Sequence, residues 1–118
     1  MFSDHPVTKL SSYGNSTGTP PGMLLNVFNM PGGDDPVAPF EVSHWSLERG
    51  ADSGIDQHPV RELWLIATGR GVMTCGGMTL EVSAGDVMSV EPNQPHTLVN
   101  TGDGPCEVFS VWWSAGRS

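Results

Sequence analysis

Four side chains in two stretches of the sequence are of types that bind divalent cations: Asp56, His58, Glu62 and His96. Asp56 and His58 are two residues apart, so in an extended chain they share a face. Glu62 follows with the same parity, but Pro59 lies between and interrupts any continuous ladder. A bend at Pro59, with Glu62 opening the next strand, still lets the three converge. His96 heads a separate stretch, directly after the loop EPNQP. Imidazole and carboxylate donors together suit divalent Fe, Mn, Ni, Co or Zn. On residue type and spacing alone, ligation competes with the ordinary fate of such side chains, which is solvation or hydrogen bonding.

The elements that must position them are strands. Glycine (15) and proline (10) make up about a fifth of the 118 residues, against a usual share of roughly 12%. Both break helices and punctuate strands. Short apolar runs recur between turn formers: residues 23–30 (MLLNVFNM), 40–47 (FEVSHWSL), 61–68 (RELWLIAT), 71–75 (GVMTC), 78–84 (MTLEVSA), 86–90 (DVMSV), 96–100 (HTLVN) and 106–114 (CEVFSVWWS). Gly76-Gly77 is a two-residue hairpin signal. Regularly spaced strands of this length predict an all-β sandwich or barrel, and no segment shows a clean helical period, so little or no helix is expected. Residues 1–22, rich in Ser, Thr, Gly and Pro, are read as a flexible N-terminal arm, and residues 23–118 as a single barrel domain.

The two ligand-bearing stretches resemble the paired motifs of the cupin superfamily. In the first, Gly50, five residues, Asp56-x-His58, three residues, Glu62, six residues and Gly69 follow the family spacing. In the second, Gly85, His96 and Asn100 fall in register. The resemblance spans residues 40–113, about two-thirds of the chain. It implies a double-stranded β-helix (jelly-roll) barrel, with His58, Glu62 and His96 as ligands of one metal ion. Three positions depart from the family pattern. Asp56 stands where the family has a first histidine, and either ligates through oxygen or accepts a hydrogen bond behind a two-His, one-carboxylate triad. Glu91 replaces a proline, with Pro92 one place later. Asn93 replaces a glycine, a tolerable change because Asn accepts left-handed backbone angles.

Around that site, Trp64, Met73 and Met88 are expected to line a substrate pocket, with Trp45 a further aromatic candidate. His44 is a candidate base if it points inward. Arg61 and Glu91 are read as surface charges near the barrel mouth, and Asn100 as the holder of a backbone turn. Two carboxylates favour Fe(II) or Mn(II) without excluding Zn(II) or Ni(II). The expected activity is metal-dependent chemistry on a small organic, aromatic or polyketide-like substrate. An oxygenase is placed slightly ahead of a cyclase or isomerase, and a non-catalytic binding cupin is the alternative.

Composition excludes other classes. A net charge of −8, with only five Lys plus Arg, repels phosphate backbones and anionic lipid surfaces. No apolar run approaches the ~20 residues that span a bilayer. The opening MFSDHPVTKLSS has no basic region followed by an apolar core. Cys75 and Cys106 are therefore read as reduced thiols of a cytoplasmic protein. The last strand is apolar on both faces, with Val108 and Trp112 on one and Phe109, Val111 and Trp113 on the other. A homodimer that covers the outer face is expected from this.

Overall fold

The computed structural model describes residues 7–14, 18–32 and 38–114. Nine strands follow one another: β1 (Ser12–Gly14), β2 (Met23–Phe28), β3 (Glu41–Leu47), β4 (Arg61–Thr68), β5 (Arg70–Cys75), β6 (Met78–Ser83), β7 (Val87–Val90), β8 (His96–Asn100) and β9 (Cys106–Trp113). Every pairing is antiparallel. A six-stranded sheet runs β1-β2-β3-β9-β4-β7, and a three-stranded sheet runs β6-β5-β8. No helix occurs among the described residues, and none is long and apolar enough to cross a membrane. The expected all-β jelly roll is what forms.

Local signals explain the turns. Cys75 pairs with Met78 across Gly76-Gly77, whose φ angles are 55° and 86°. That double positive φ is what a tight hairpin matched to strand twist needs, and glycine adopts it without steric cost. Gly69 separates β4 from β5 at φ 87°, and a Cβ there would lie 2.5 Å from the Pro105 carbonyl oxygen.

Alternation along the strands sets the two faces of the large sheet. On β3 the buried positions are Ser43, Trp45 and Leu47; on β4, Glu62, Trp64 and Ile66; on β9, Cys106, Val108 and Ser110. Across the sheet these form rows: Leu47 opposite Cys106, then Trp45, Val108 and Ile66, then Ser43, Ser110 and Trp64, then Trp112 and Glu62. The first two rows are apolar. With Met73, Val82 and Leu98 of the small sheet they close the core. Trp45 and Trp64 meet edge to face at 5.0 Å, a geometry worth about 0.5–1.5 kcal/mol beyond area burial. The last two rows carry polar side chains, and there the space between the sheets stays open.

Of the N-terminal arm, residues 1–6 and 15–17 lie outside the described residues. Ser12–Gly14 pairs with β2 at the sheet edge, and the Asn29 N–H donates to the Ser11 carbonyl at 2.8 Å.

Candidate metal centre

The candidate ligands come from three places. Glu62 is the first inward residue of β4, flanked across the ladders by Trp112 and Val90. His96 opens β8 in the other sheet. Asp56 and His58 lie on the connector between β3 and β4. That connector runs beside β8 as an irregular fourth strand: Ser53 N–H donates to Leu98 O at 2.9 Å, and Asp56 and His96 exchange backbone bonds of 2.9 Å each way. The mutual pair sets Asp56 directly opposite His96. At Pro59 and Val60 the chain bends, leaves the small sheet and enters β4 of the large one. The bend expected from Pro59 is therefore the point where the chain changes sheets, and it brings the ligand types together.

Ligand atoms of Asp56, His58 and His96 all lie within 4.8 Å of one another. Glu62 Oε1 is 3.2 Å from His58 Nε2 and 3.4 Å from His96 Nε2. Neither approach has the alignment of a hydrogen bond, and Glu62 Oε1 is buried with no donor. A buried carboxylate oxygen without a donor is costly. Two imidazole nitrogens and an orphaned carboxylate oxygen pointed at a common place match the donor set of a divalent ion. The residues present therefore fit a metal.

His96 is prepared for that role. Its Nδ1 lies 2.7 Å from the Gln94 carbonyl oxygen, which can only accept. Nδ1 therefore carries the proton, and Nε2 is left with a lone pair for a metal. Burial, the largest single influence, pulls the His96 pKa down. The adjacent Glu62 carboxylate, the Gln94 carbonyl and the charge of Asp56 outweigh it, and the net shift is above the ordinary value. A cation binding at Nε2 has to displace the second proton, which this shift favours there, while the Nδ1 proton stays hydrogen-bonded to Gln94 O. His58 lacks such a partner, since its Nδ1 is buried without a hydrogen bond. Asn93 N–H holds the backbone of His58 instead, donating to its carbonyl at 2.7 Å. Asn93 has φ 63°, the left-handed angle for which asparagine is suited. Asp56 is outermost: Oδ2 lies 3.8 Å from His58 Nε2, and Oδ1 accepts the Gln57 N–H at 3.0 Å.

Beside these groups is a cavity of about 410 Å³, lined among others by Trp64 and Trp45. Two other expected wall residues are corrected. Met73 is 2% exposed inside the core, and Met88 packs against the core's edge; neither reaches the cavity. His44 is also corrected as a base. Its neighbours Ser43 and Trp45 point inward, so alternation turns His44 to the outer face. There its Nε2 sits 3.1 Å from Glu107 Oε1 and its ring 4.8 Å from that of Phe109. Arg61 and Glu91 form an exposed ion pair at 2.8 Å. Asn100 closes the turn after β8: Nδ2 donates to Leu47 O and Gly104 O, and Oδ1 accepts the Gly102 N–H.

Sequence reasoning missed the wall contributed by β2, namely Met23, Leu25 and Val27, and the serines Ser43 and Ser110. The signal for the first was the alternation in MLLNVF, where Asn26 marks the opposite face. The signal for the second was a serine in phase with Val108 and Trp112.

Residues 43–112 match the family profile described as "Cupin domain". A cupin 2 conserved barrel domain protein from Salinispora arenicola is 32% identical, with a TM-score of 0.69 over 79% of this chain and 76% of that one. A predicted oxalate decarboxylase from Thermotoga maritima superposes with a TM-score of 0.72 over 97% of this chain and 99% of that one, at 20% identity. KdgF from a Halomonas species superposes at 0.66 over 79% and 81%, at 17% identity. Among curated proteins, an uncharacterized protein of Methanocaldococcus jannaschii is 36% identical over 48 residues, which cover 41% of this chain and 38% of that protein.

Proposed function

The chain belongs to the cupin domain family, and from that premise we propose a metal-dependent enzyme acting on a small organic molecule, with oxygenase chemistry ahead of non-redox cyclisation or isomerisation. The observation that carries this reading is the buried Glu62 Oε1, orphaned of donors and flanked by two imidazole nitrogens. Two histidines and a carboxylate are the donor set of non-haem Fe(II) oxygenases. A divalent ion held there supplies redox or Lewis-acid chemistry at its open positions. The chain's own residues do the rest. Gln94 O holds the His96 proton on Nδ1, Trp112 and Val90 fix Glu62 in place, and Asp56 stands at the mouth as a fourth donor. Trp45, Trp64 and Leu25 exclude water and favour an apolar, flat substrate.

Metal analysis by mass spectrometry on protein purified without an affinity column is the first test, and one equivalent of Fe or Mn is expected. Dioxygen uptake with Fe(II) and an aromatic or enol substrate then tests the redox version. Activity retained with Zn(II) in the absence of air rejects it.

A non-catalytic binding role is the second reading, favoured by one observation. Outside the Asp56, His58, Glu62 and His96 set, the described lining residues include no acid or base. With His44 on the outer face, any proton transfer has to use the ligands or the substrate itself.

A homodimer is part of the proposal. Phe109, Val111 and Trp113 face outward beside Leu65, Leu63 and Val42, an apolar patch of the kind subunits cover. Light scattering at micromolar concentration is expected to give a dimer, and Leu63→Glu a monomer. Both cysteines are unbridged, which supports a reducing compartment such as the cytoplasm.

A further inference from the structure

Two serines occupy cavity positions where the strand pattern otherwise supplies apolar side chains. On the inner faces of β3 and β9 the remaining buried residues are Trp45, Leu47, Cys106 and Val108. Ser43 and Ser110 interrupt that run directly opposite one another. They are only 4% and 2% exposed, yet both line the cavity. A buried hydroxyl with unmet hydrogen-bonding capacity costs roughly 1–3 kcal/mol. At Ser43 an alanine would close the core more cheaply. Ser110 Oγ accepts the Trp45 indole N–H at 2.7 Å, and no acceptor among the described residues takes its own proton. Ser43 Oγ makes no hydrogen bond to a described residue. The pair therefore presents two hydroxyls, one oriented by an indole, to whatever fills the cavity.

Their position relative to the candidate ligands is set by register. Ser110 faces Trp64 across β9 and β4, and Trp112 faces Glu62. Ser110 and Glu62 are thus diagonal neighbours on one sheet face, roughly 7–8 Å apart. Both positions border the same cavity of about 410 Å³.

We propose that Ser43 and Ser110 form a second polar anchor, selecting ligands that carry a hydroxyl or carbonyl oxygen across an apolar body from the group that meets the His–Glu cluster. The inference rests on reading that cluster as a metal site. The ligand class is a small aromatic or similarly flat carboxylate or enol with a second oxygen function. Each serine hydroxyl both donates and accepts, so the anchor takes either oxygen type and rejects a plain hydrocarbon edge.

Benzoate and its 2-, 3- and 4-hydroxy derivatives are the probes, titrated calorimetrically against the full chain with and without Mn(II). Benzoate is expected to bind only with Mn(II), and at least one hydroxy isomer to bind about tenfold tighter than benzoate. In a Ser43→Ala/Ser110→Ala variant that advantage should fall below about twofold, with benzoate affinity and Mn(II) content unchanged. General loosening of the fold would weaken all four probes alike and leave the ratio intact. Ser43→Ala alone, which removes no hydrogen bond between described residues, should lower the ratio at least about threefold. An advantage that survives in both variants, or no isomer exceeding benzoate by about threefold, overturns the anchor and leaves the metal reading standing. Benzoate binding that ignores Mn(II) overturns the metal reading, and the same ratio still decides the anchor. No binding of any probe overturns both.

Discussion

The candidate ligands fall into two regions of unlike character. Glu62 and His96 sit on regular strands, with side chains 10% and 2% exposed. Asp56 and His58 sit on the irregular connector, with side chains 70% and 24% exposed. Cross-strand neighbours fix Glu62, and the Gln94 carbonyl fixes the His96 tautomer. No described residue bonds His58 Nδ1 to fix its tautomer, and one Asp56 oxygen is engaged by the Gln57 N–H. The difference teaches that a single site can be half preorganised scaffold and half adaptable rim. Binding strength should follow the scaffold, because ligands already held in place lose least on binding.

Removing a ligand from the scaffold gives the largest expected effect, and removing one from the rim a smaller effect. Glu62→Ala or His96→Ala should weaken metal binding about 100-fold or more, the upper end of what even supporting partners contribute, with the circular dichroism spectrum of the strands retained. Asp56→Ala should cost only about tenfold in a competition titration with a chelating dye. A loss equal to that of Glu62→Ala would erase the distinction between scaffold and rim.

The scaffold also titrates. In the metal-free protein the His96 pKa is raised above its unfolded value. Its contribution to stability is thus fully present below about pH 6.5 and fades as pH rises through the folded value. The melting temperature of metal-free wild type should therefore fall from pH ~6 to ~8 more than that of His96→Gln. Equal slopes would mean that the proton on His96 is not held by its surroundings.

The smallest effect tests the rim. Asn93 carries the connector through its N–H to the His58 carbonyl and does so at a left-handed angle. Asn93→Gly should change stability by a few tenths of a kcal/mol, and Asn93→Val should cost about 1–2 kcal/mol, read by urea denaturation. A large loss in Asn93→Gly would show that the side chain, and not the angle, holds the connector.

The sequence made eight of the nine strands, the glycine hairpin, the tolerance of Asn93 and the ligand spacing legible, because each is a local property. A run such as GVMTC followed by two glycines specifies its own turn. What stayed hidden needed long-range register. FEVSHWSL has polar and apolar residues on both phases, so alternation alone could not say whether His44 or Trp45 enters the barrel; pairing with β9 decides it. Met73 and Met88 share the phase of core residues, but whether they meet cavity or packed interior depends on how far along the barrel each row lies. The alternation in MLLNVF marks the two faces of β2, but which of them borders the cavity depends on its long-range pairing with β3.

The change of sheet at Pro59 has a mechanical consequence. Glu62 belongs to one layer of the barrel and His96 to the other, so whatever both of them hold rivets the layers together at their open end. At a free concentration 100 times its dissociation constant, such a rivet adds about 2.7 kcal/mol to the folded state. Opening the mouth and releasing the ion then become the same event.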